Sequence, residues 1–473
     1  MKRAFARFTW MSALVLLAAI ALVGCGSNSS TSTTTPPSQS QQSGHIFVTG
    51  EDAPLPSVVG LDITINSITL NGQTNSPQVV STPTTVDFAR LVGLRSPLAF
   101  NSVPAGTYAS ATFVLARPVI SWVDLTQNPP ALNTINGTLP QSPFSLTINF
   151  PTAMVVESNG LAGLKMDFDI RQSLAVSNGQ ITGAVNPAIF IKATQASDPG
   201  AEITDLTGGL VSVNAASNSF VIQGPYGRQL TVDVNNNTQF NSGWNINDLA
   251  APAIVGVMGS FQADGSVMAS GVEVITAAQT FLSGRVLQVT NNGSGQAQSV
   301  TMWVGETGAD LVSDVDTIQT INISAVSQYE ICFFDGPITN ALFNNTSLEV
   351  GQRIFIGGSY VNSTFTPQMI SLRHQGAYGM LVAPPQGTVT IVSGNEGSFQ
   401  LSNGGLIGYA AGGPVTVYTG NDTLFFNLSG LSALASDTTS VPLITRGLLL
   451  EDPNNPGTIA FYAGLVAQPP QSN

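Results

Sequence analysis

From Gly44 onward, apolar residues recur at every second position over much of the chain. Leu61, Ile63 and Ile65 alternate with Asp62 and Thr64. The phase then shifts to Ile68 and Leu70, which predicts a β-bulge near Asn66-Ser67. Asn71-Gly72 follows, a pair suited to positive φ, and is expected to close that strand. The same period returns in Ala111, Phe113 and Leu115, and again in Leu146, Ile148 and Phe150. Leu164, Met166, Phe168 and Ile170 alternate with Lys165, Asp167, Asp169 and Arg171, which predicts one packed face and one wet face. Strands of this kind bury their apolar faces against a second sheet or across a closed barrel. A β-sandwich is expected over residues 44–196.

Beyond the turn-rich segment Gln195-Ala196-Ser197-Asp198-Pro199-Gly200 the texture becomes repetitive. Strand openings stand at Gly209-Leu210-Val211, Gly284-Arg285-Val286 and Gly387-Thr388-Val389, and each is followed by several short apolar strands. Three small β-barrel or β-sandwich modules are expected, over 206–279, 281–376 and 384–468. The fold class read from the pattern is all-β: an immunoglobulin-like or prealbumin-like sandwich followed by three small modules. No long helix is predicted.

Four stretches carry a resemblance. Val58 to Leu70, Pro104-Ala105-Gly106-Thr107-Tyr108, Leu164 to Arg171 and Val185 to Lys192 occur in the order found in the bacterial lipoprotein family called domain of unknown function 4382. The resemblance implies a secreted β-sandwich with no established activity. The first two modules resemble a second uncharacterised family, domain of unknown function 5666. The first carries its Gly-x-Val opening, its Thr238-Gln239-Phe240 element and its Asp264-Gly265-Ser266 turn, whereas the second lacks a clean Thr-x-Phe.

The N-terminus suggests an address. Lys2, Arg3 and Arg7 precede an apolar run from Met11 to Val23, which is too short for a bilayer span and reads as a signal peptide over 1–24. Leu22-Val23-Gly24-Cys25 resembles a bacterial lipobox. The motif implies cleavage before Cys25, lipidation of that residue and membrane attachment through the N-terminal lipid. Residues 25–43, rich in Ser, Thr, Pro and Gln, are expected to form a flexible tether. Gly26 follows the cysteine where an Asp would resemble an inner-membrane retention signal, so the expected location is a bacterial cell envelope at the outer membrane. Once Cys25 is lipidated only Cys332 remains, and it reads as a buried small hydrophobe.

Charge narrows the partners. Fourteen basic residues face 27 acidic ones, for a formal net charge of −13, which argues against a nucleic-acid backbone. His45 and His374 are the only histidines, and neither has a nearby Cys or second His to suggest zinc or a catalytic relay. Asp167 and Asp169, two apart on a strand, read first as a solvated face held by cross-strand charge pairs. A calcium site completed by Glu51 or Asp52 is the alternative, and calcium is the one cofactor left open. Glu157 with Asp167 and Asp169 are the carboxylates available to a glycosidase. Asp310, Asp314 and Asp316 read as an exposed acidic loop. Trp122, Trp244, Trp303 and Tyr226 lie near turns and are the candidates for stacking a ligand. Since no motif specifies a chemistry, a non-catalytic role is expected: adhesion, scaffolding, or binding of an envelope polymer or protein partner. A hydrolase acting on extracellular polysaccharide is the rival. An aromatic-lined acidic groove would favour that rival, and carboxylates scattered over strand faces would favour binding.

Overall fold

A computed structural model describes residues 42–469, apart from positions 54, 56, 92, 178–179, 199–200, 225–228, 276–277, 333–341, 383–387 and 438. The expected leader, the lipidation residue Cys25, nearly all of the tether and Tyr226 lie outside the described residues. What is described is all-β, built as several distinct sheets.

The N-terminal part packs a four-stranded sheet against a six-stranded one around a single apolar core. The first sheet runs in the order Ile189–Thr194, Leu161–Asp169, Ser43–Ala53, Ser96–Pro104. The second is organised by two long strands, Val58–Gly72 and Gly106–Asp124, paired antiparallel. The expected bulge is present as a register shift between Ile65 and Ser67. Asn71-Gly72 plays a different part from the one expected. Both residues stay in the strand, and the turn closes beyond them through a bond from the Gly72 N–H to the Asn75 carbonyl. Neither Asn71 nor Gly72 takes a positive φ.

Tyr108 explains part of the Pro-Ala-Gly-Thr-Tyr stretch. Its ring is buried in the core, and its hydroxyl donates to the Pro104 carbonyl at 2.6 Å, which pins the corner between two strands. Tyr108→Phe keeps the ring and deletes only that bond. It should lower the unfolding free energy by about 1 kcal/mol in urea titrations, with an unchanged m-value.

Three further sheets follow, and they share one strand order. In the first, Ile203–Asn214, Ser219–Gln223 and Gln229–Asp233 run as a meander, and Ile254–Phe261 pairs back onto the opening strand. The fifth strand, Val267–Ile275, then pairs parallel with the third, closing a ring in the order 1-2-3-5-4-1. The last sheet repeats this ring with Gln375–Leu381, Glu396–Ser402, Val415–Phe426, Pro442–Glu451 and Ile459–Ala467, again with third and fifth strands parallel. The middle sheet, from Thr280–Asn291 to Thr364–Leu372, keeps the order 3-2-1-4-5 in its main strands, carries the short strand Gln328–Ile331 parallel to Thr364–Leu372 at its edge, and shows no pairing of third with fifth among the described residues. Closed or nearly closed rings of five short strands leave few bare edges, so adjacent sheets stay separate.

The last ring opens earlier in the chain than its expected start at 384. Its first strand is Gln375–Leu381, while Val389–Ser393, the expected opening, is an outer strand paired only with Glu396–Ser402. Two glycines in seven residues hid the period of the true first strand.

Apolar clusters tie the sheets together. Phe47 lies on the sandwich strand Ser43–Ala53, between Ile46 and Val48 of the sandwich core, yet it belongs to the core of the first ring, where it stacks on Phe261 at 5.4 Å. Ile254 and Ile275 of the first ring meet Phe281, Phe355 and Met369 of the middle sheet. Leu448 and Leu450 of the last ring enter the middle sheet's core. Val123, Leu287, Trp303 and Leu406 form one small cluster where sandwich, middle sheet and last ring meet.

Candidate functional site

Parallel pairing of Ser43–Ala53 with Leu161–Asp169 sets Glu51 opposite Asp167 and carries Asp52 and Asp169 alongside, so the four candidate calcium ligands do meet. Their surroundings differ from the expected wet face. The strand ends at Asp169, which is buried and caps the short helix Ile170–Ser173: one carboxylate oxygen accepts the Gln172 backbone N–H at 2.9 Å, the other its side-chain amide at 2.6 Å. Glu51 pairs with Lys165 and with Arg95. Asp52 is buried, accepts the Ile170 N–H at 3.3 Å, and is pushed well above the usual carboxylate range by burial and then by Asp167. Burial, then Glu51, raises Asp167 to about 7.

Calcium needs six to eight ionised or carbonyl oxygens free to turn inward. Here Asp52 favours the neutral form, Asp167 is raised to about 7, and Glu51 and Asp169 have their oxygens engaged. Among the described residues no group of three or more His, Cys, Asp or Glu side chains has an arrangement that holds a metal ion. The cluster is a structural seam in which protonation replaces solvent.

A second acidic group was not anticipated. Asp62, which alternates with Leu61 and Ile63, is registered opposite Asp87 and hydrogen-bonds to Asp316 of the middle sheet's loop. Burial and the neighbouring carboxylates raise Asp62 to about 9, and Asp87 is raised to about 6, chiefly by burial. The loop carrying Asp310, Asp314 and Asp316 is therefore only partly the exposed connection expected. Asp310 is exposed, but Asp316 takes a left-handed φ of 61° and faces the sandwich.

The aromatic candidates are packed. Trp303 is 3% exposed, which overturns its reading as a stacking platform. Its indole lies over two glycines: a Cβ on Gly60 would stand 3.0 Å from the ring, and one on Gly305 2.7 Å. Trp122 rests partly buried on the sandwich core and Trp244 on the core of the first ring. His45 stacks on Phe100 at 5.4 Å, and His374 is nearly buried with its carbonyl accepting from Arg353. Cys332 is buried, and burial pushes its thiol up to about 12, which leaves it inert.

A concavity lies where sandwich, middle sheet and last ring meet. It encloses about 730 Å³ of non-atom space, part of it open to solvent. Three guanidiniums line it, from Arg90, Arg285 and Arg353, against a single carboxylate, Glu306. One oxygen of Glu306 faces Arg90 at 3.4 Å and Arg353 at 3.6 Å. Arg285 donates instead to the side-chain carbonyl of Gln375, and that oxygen also accepts the Arg353 backbone N–H at 2.6 Å. Trp303 lines the same space, and its indole N–H meets no acceptor among the described residues. Tyr378 is held at the rim by a bond from Arg171 at 3.0 Å. Nothing in the spacing of residues 90, 285, 306 and 353 signals this meeting, because the topology alone brings them together.

Residues 43–183 match the family described as Domain of unknown function (DUF4382), and this stretch is a domain of that family. The match covers the bulk of the sandwich, in agreement with the resemblance carried by Val58 to Leu70, the Tyr108 corner and Leu164 to Arg171. No curated protein matches the chain.

Proposed function

We propose that the protein is a lipid-anchored component of a bacterial cell envelope, held at the outer membrane through Cys25, with a non-catalytic binding, adhesion or scaffolding role. The observation that carries this reading is architectural: a sandwich and three small six-stranded sheets are locked by shared apolar clusters into one body. Five-stranded Greek-key barrels commonly act as platforms whose strand faces and loops take extended polymers. With a net charge of −13, a neutral polysaccharide or a protein suits these faces better than a nucleic acid. The basic head, apolar run and lipobox-like Leu22-Val23-Gly24-Cys25 support the address. The resemblance of the first two C-terminal sheets to domain of unknown function 5666 supports their reading as repeated modules. The aromatic-lined acidic groove that would favour a polysaccharide hydrolase has no counterpart among the described residues, since the tryptophans pack onto cores.

Two measurements test the proposal. Cells given a labelled fatty acid should label the full chain and lose the label with Cys25→Ser. The purified full chain should be retained by one envelope or polysaccharide fraction, equally with and without calcium, and release no soluble sugar or peptide. An unlabelled wild-type chain overturns the anchor, and product release overturns the non-catalytic role.

A further inference from the structure

We propose that the cavity at the junction of sandwich, middle sheet and last ring binds a small organic anion, its carboxylate or phosphate head against Arg285 and Arg353 and its apolar body against Val58, Leu406 and Ile407. This site is independent of the polymer-binding reading, which concerns the outer faces of the sheets.

Charge bookkeeping at the cavity comes first. The chain has only 14 basic residues against 27 acidic ones, yet three of the 14 converge on this one space with a single carboxylate among its lining residues. Glu306 is shared by Arg90 and Arg353. Among the described residues Arg285 has no carboxylate within ion-pair distance; its hydrogen-bond partner is the neutral amide of Gln375. Enclosure and the neighbouring Arg353 lower Arg285 to about 9, and the more distant Asp87 offsets them only in part. Arginine keeps its proton in proteins, so the lining carries more guanidinium than carboxylate charge.

The wall chemistry agrees. The indole N–H of Trp303, almost wholly buried, lacks an acceptor in a wall where most buried donors have one. A guanidinium pair plus an unmet N–H matches the fork and lone-pair geometry of a carboxylate or phosphate. Val58, Leu406 and Ile407 give the remaining wall its apolar character, as in sites where a few polar groups orient a mostly apolar ligand. Arg285 is half-buried, and the space it lines is partly open to solvent.

The test is calorimetric titration of the full chain with hexanoate, hexyl phosphate and hexanol at matched ionic strength. At least one anion should bind, at least tenfold more tightly than hexanol, and the tighter anion identifies the head group. Arg285→Gln, which retains hydrogen bonding without the charge, should weaken the anion at least tenfold and leave hexanol unchanged. Heat from neither anion, equal binding of hexanol, or undiminished binding by Arg285→Gln overturns the proposal. Should that variant fail to fold, wild-type crystals soaked in hexanoate and hexyl phosphate decide: density against Arg285 supports the site, and density elsewhere or none overturns it.

Discussion

Arg373→Met should destabilise the protein by about 3–5 kcal/mol, the range expected when one member of a buried ion pair is removed and the other is left behind. The member left behind is Glu273, on the last strand of the first ring, 4% exposed and bonded to Arg373 at the end of the middle sheet's last strand. The remaining contact shown for its carboxylate is the Ser371 hydroxyl, donating at 3.3 Å. Without the guanidinium the carboxylate must either take up a proton or pull water into the seam. The loss reaches beyond one contact, because the pair crosses from the first ring to the middle sheet beside the cluster of Ile254, Ile275, Phe281 and Phe355. The Arg373 guanidinium also lies over the Phe355 ring, 5.8 Å from its centroid. A double replacement, Glu273→Leu with Arg373→Met, removes both charges and should recover most of the loss. Urea unfolding of the two variants beside wild type measures both quantities. Equal losses in the single and double variants would show that packing, and not the orphaned charge, sets the cost.

Residues of this kind mark where sequence reading stops. The period-two pattern was legible wherever a strand has one covered face, as in Leu164 to Phe168, and it located the bulge near Ser67. It misread strands covered on both faces. Phe47 sits in phase with polar positions yet enters a second core, because the first ring lies on the outer face of the sandwich sheet. Asp62 alternates with Leu61 and Ile63 just as a solvated residue would, and only the fold shows that Asp87 and Asp316 close over it. Glu51, Asp52, Asp167 and Asp169 were identified from the sequence as a group, and parallel pairing brings them together. What spacing does not contain is the burial of Asp52 and Asp169 and the engagement of Glu51 by Lys165 and Arg95, which turn a candidate ion site into a structural seam. The junction cavity was hidden for a different reason: Arg285, Glu306 and Arg353 stand on three neighbouring strands of the middle sheet, with Arg285 registered opposite Arg353, while Arg90 reaches them from the sandwich, and no local motif connects positions so far apart in the chain.

The stability of the protein should fall steadily as pH rises from 5 to 9. An unfolded aspartate titrates near 3.9, whereas in the fold Asp87 is raised to about 6, Asp167 to about 7 and Asp62 to about 9. Between the two values the folded state holds protons that the unfolded state has released, so the derivative of unfolding free energy with pH is negative. The contribution of these groups is complete below about pH 4 and is lost as pH climbs through their folded values. Asp124, Asp198 and Asp264 act in the opposite sense. Hydrogen bonds from Thr126, Gln195 and Ser266 respectively lower them, so what they contribute is lost only as pH falls through their depressed values. A maximum between about pH 4 and 6 follows from the two sets together. Asp62→Asn isolates one of these contributors: the amide still offers Asp316 a donor but has no proton to lose. Its melting temperature should exceed that of wild type by several degrees at pH 9, differ less at pH 5, and show a flatter decline between pH 7 and 9. Thermal unfolding at fixed ionic strength across that range reads all three. A wild-type melting temperature that rises with pH would mean that Asp62 ionises freely beside Asp87 and Asp316, and that the contact between sandwich and middle sheet at this point is wet.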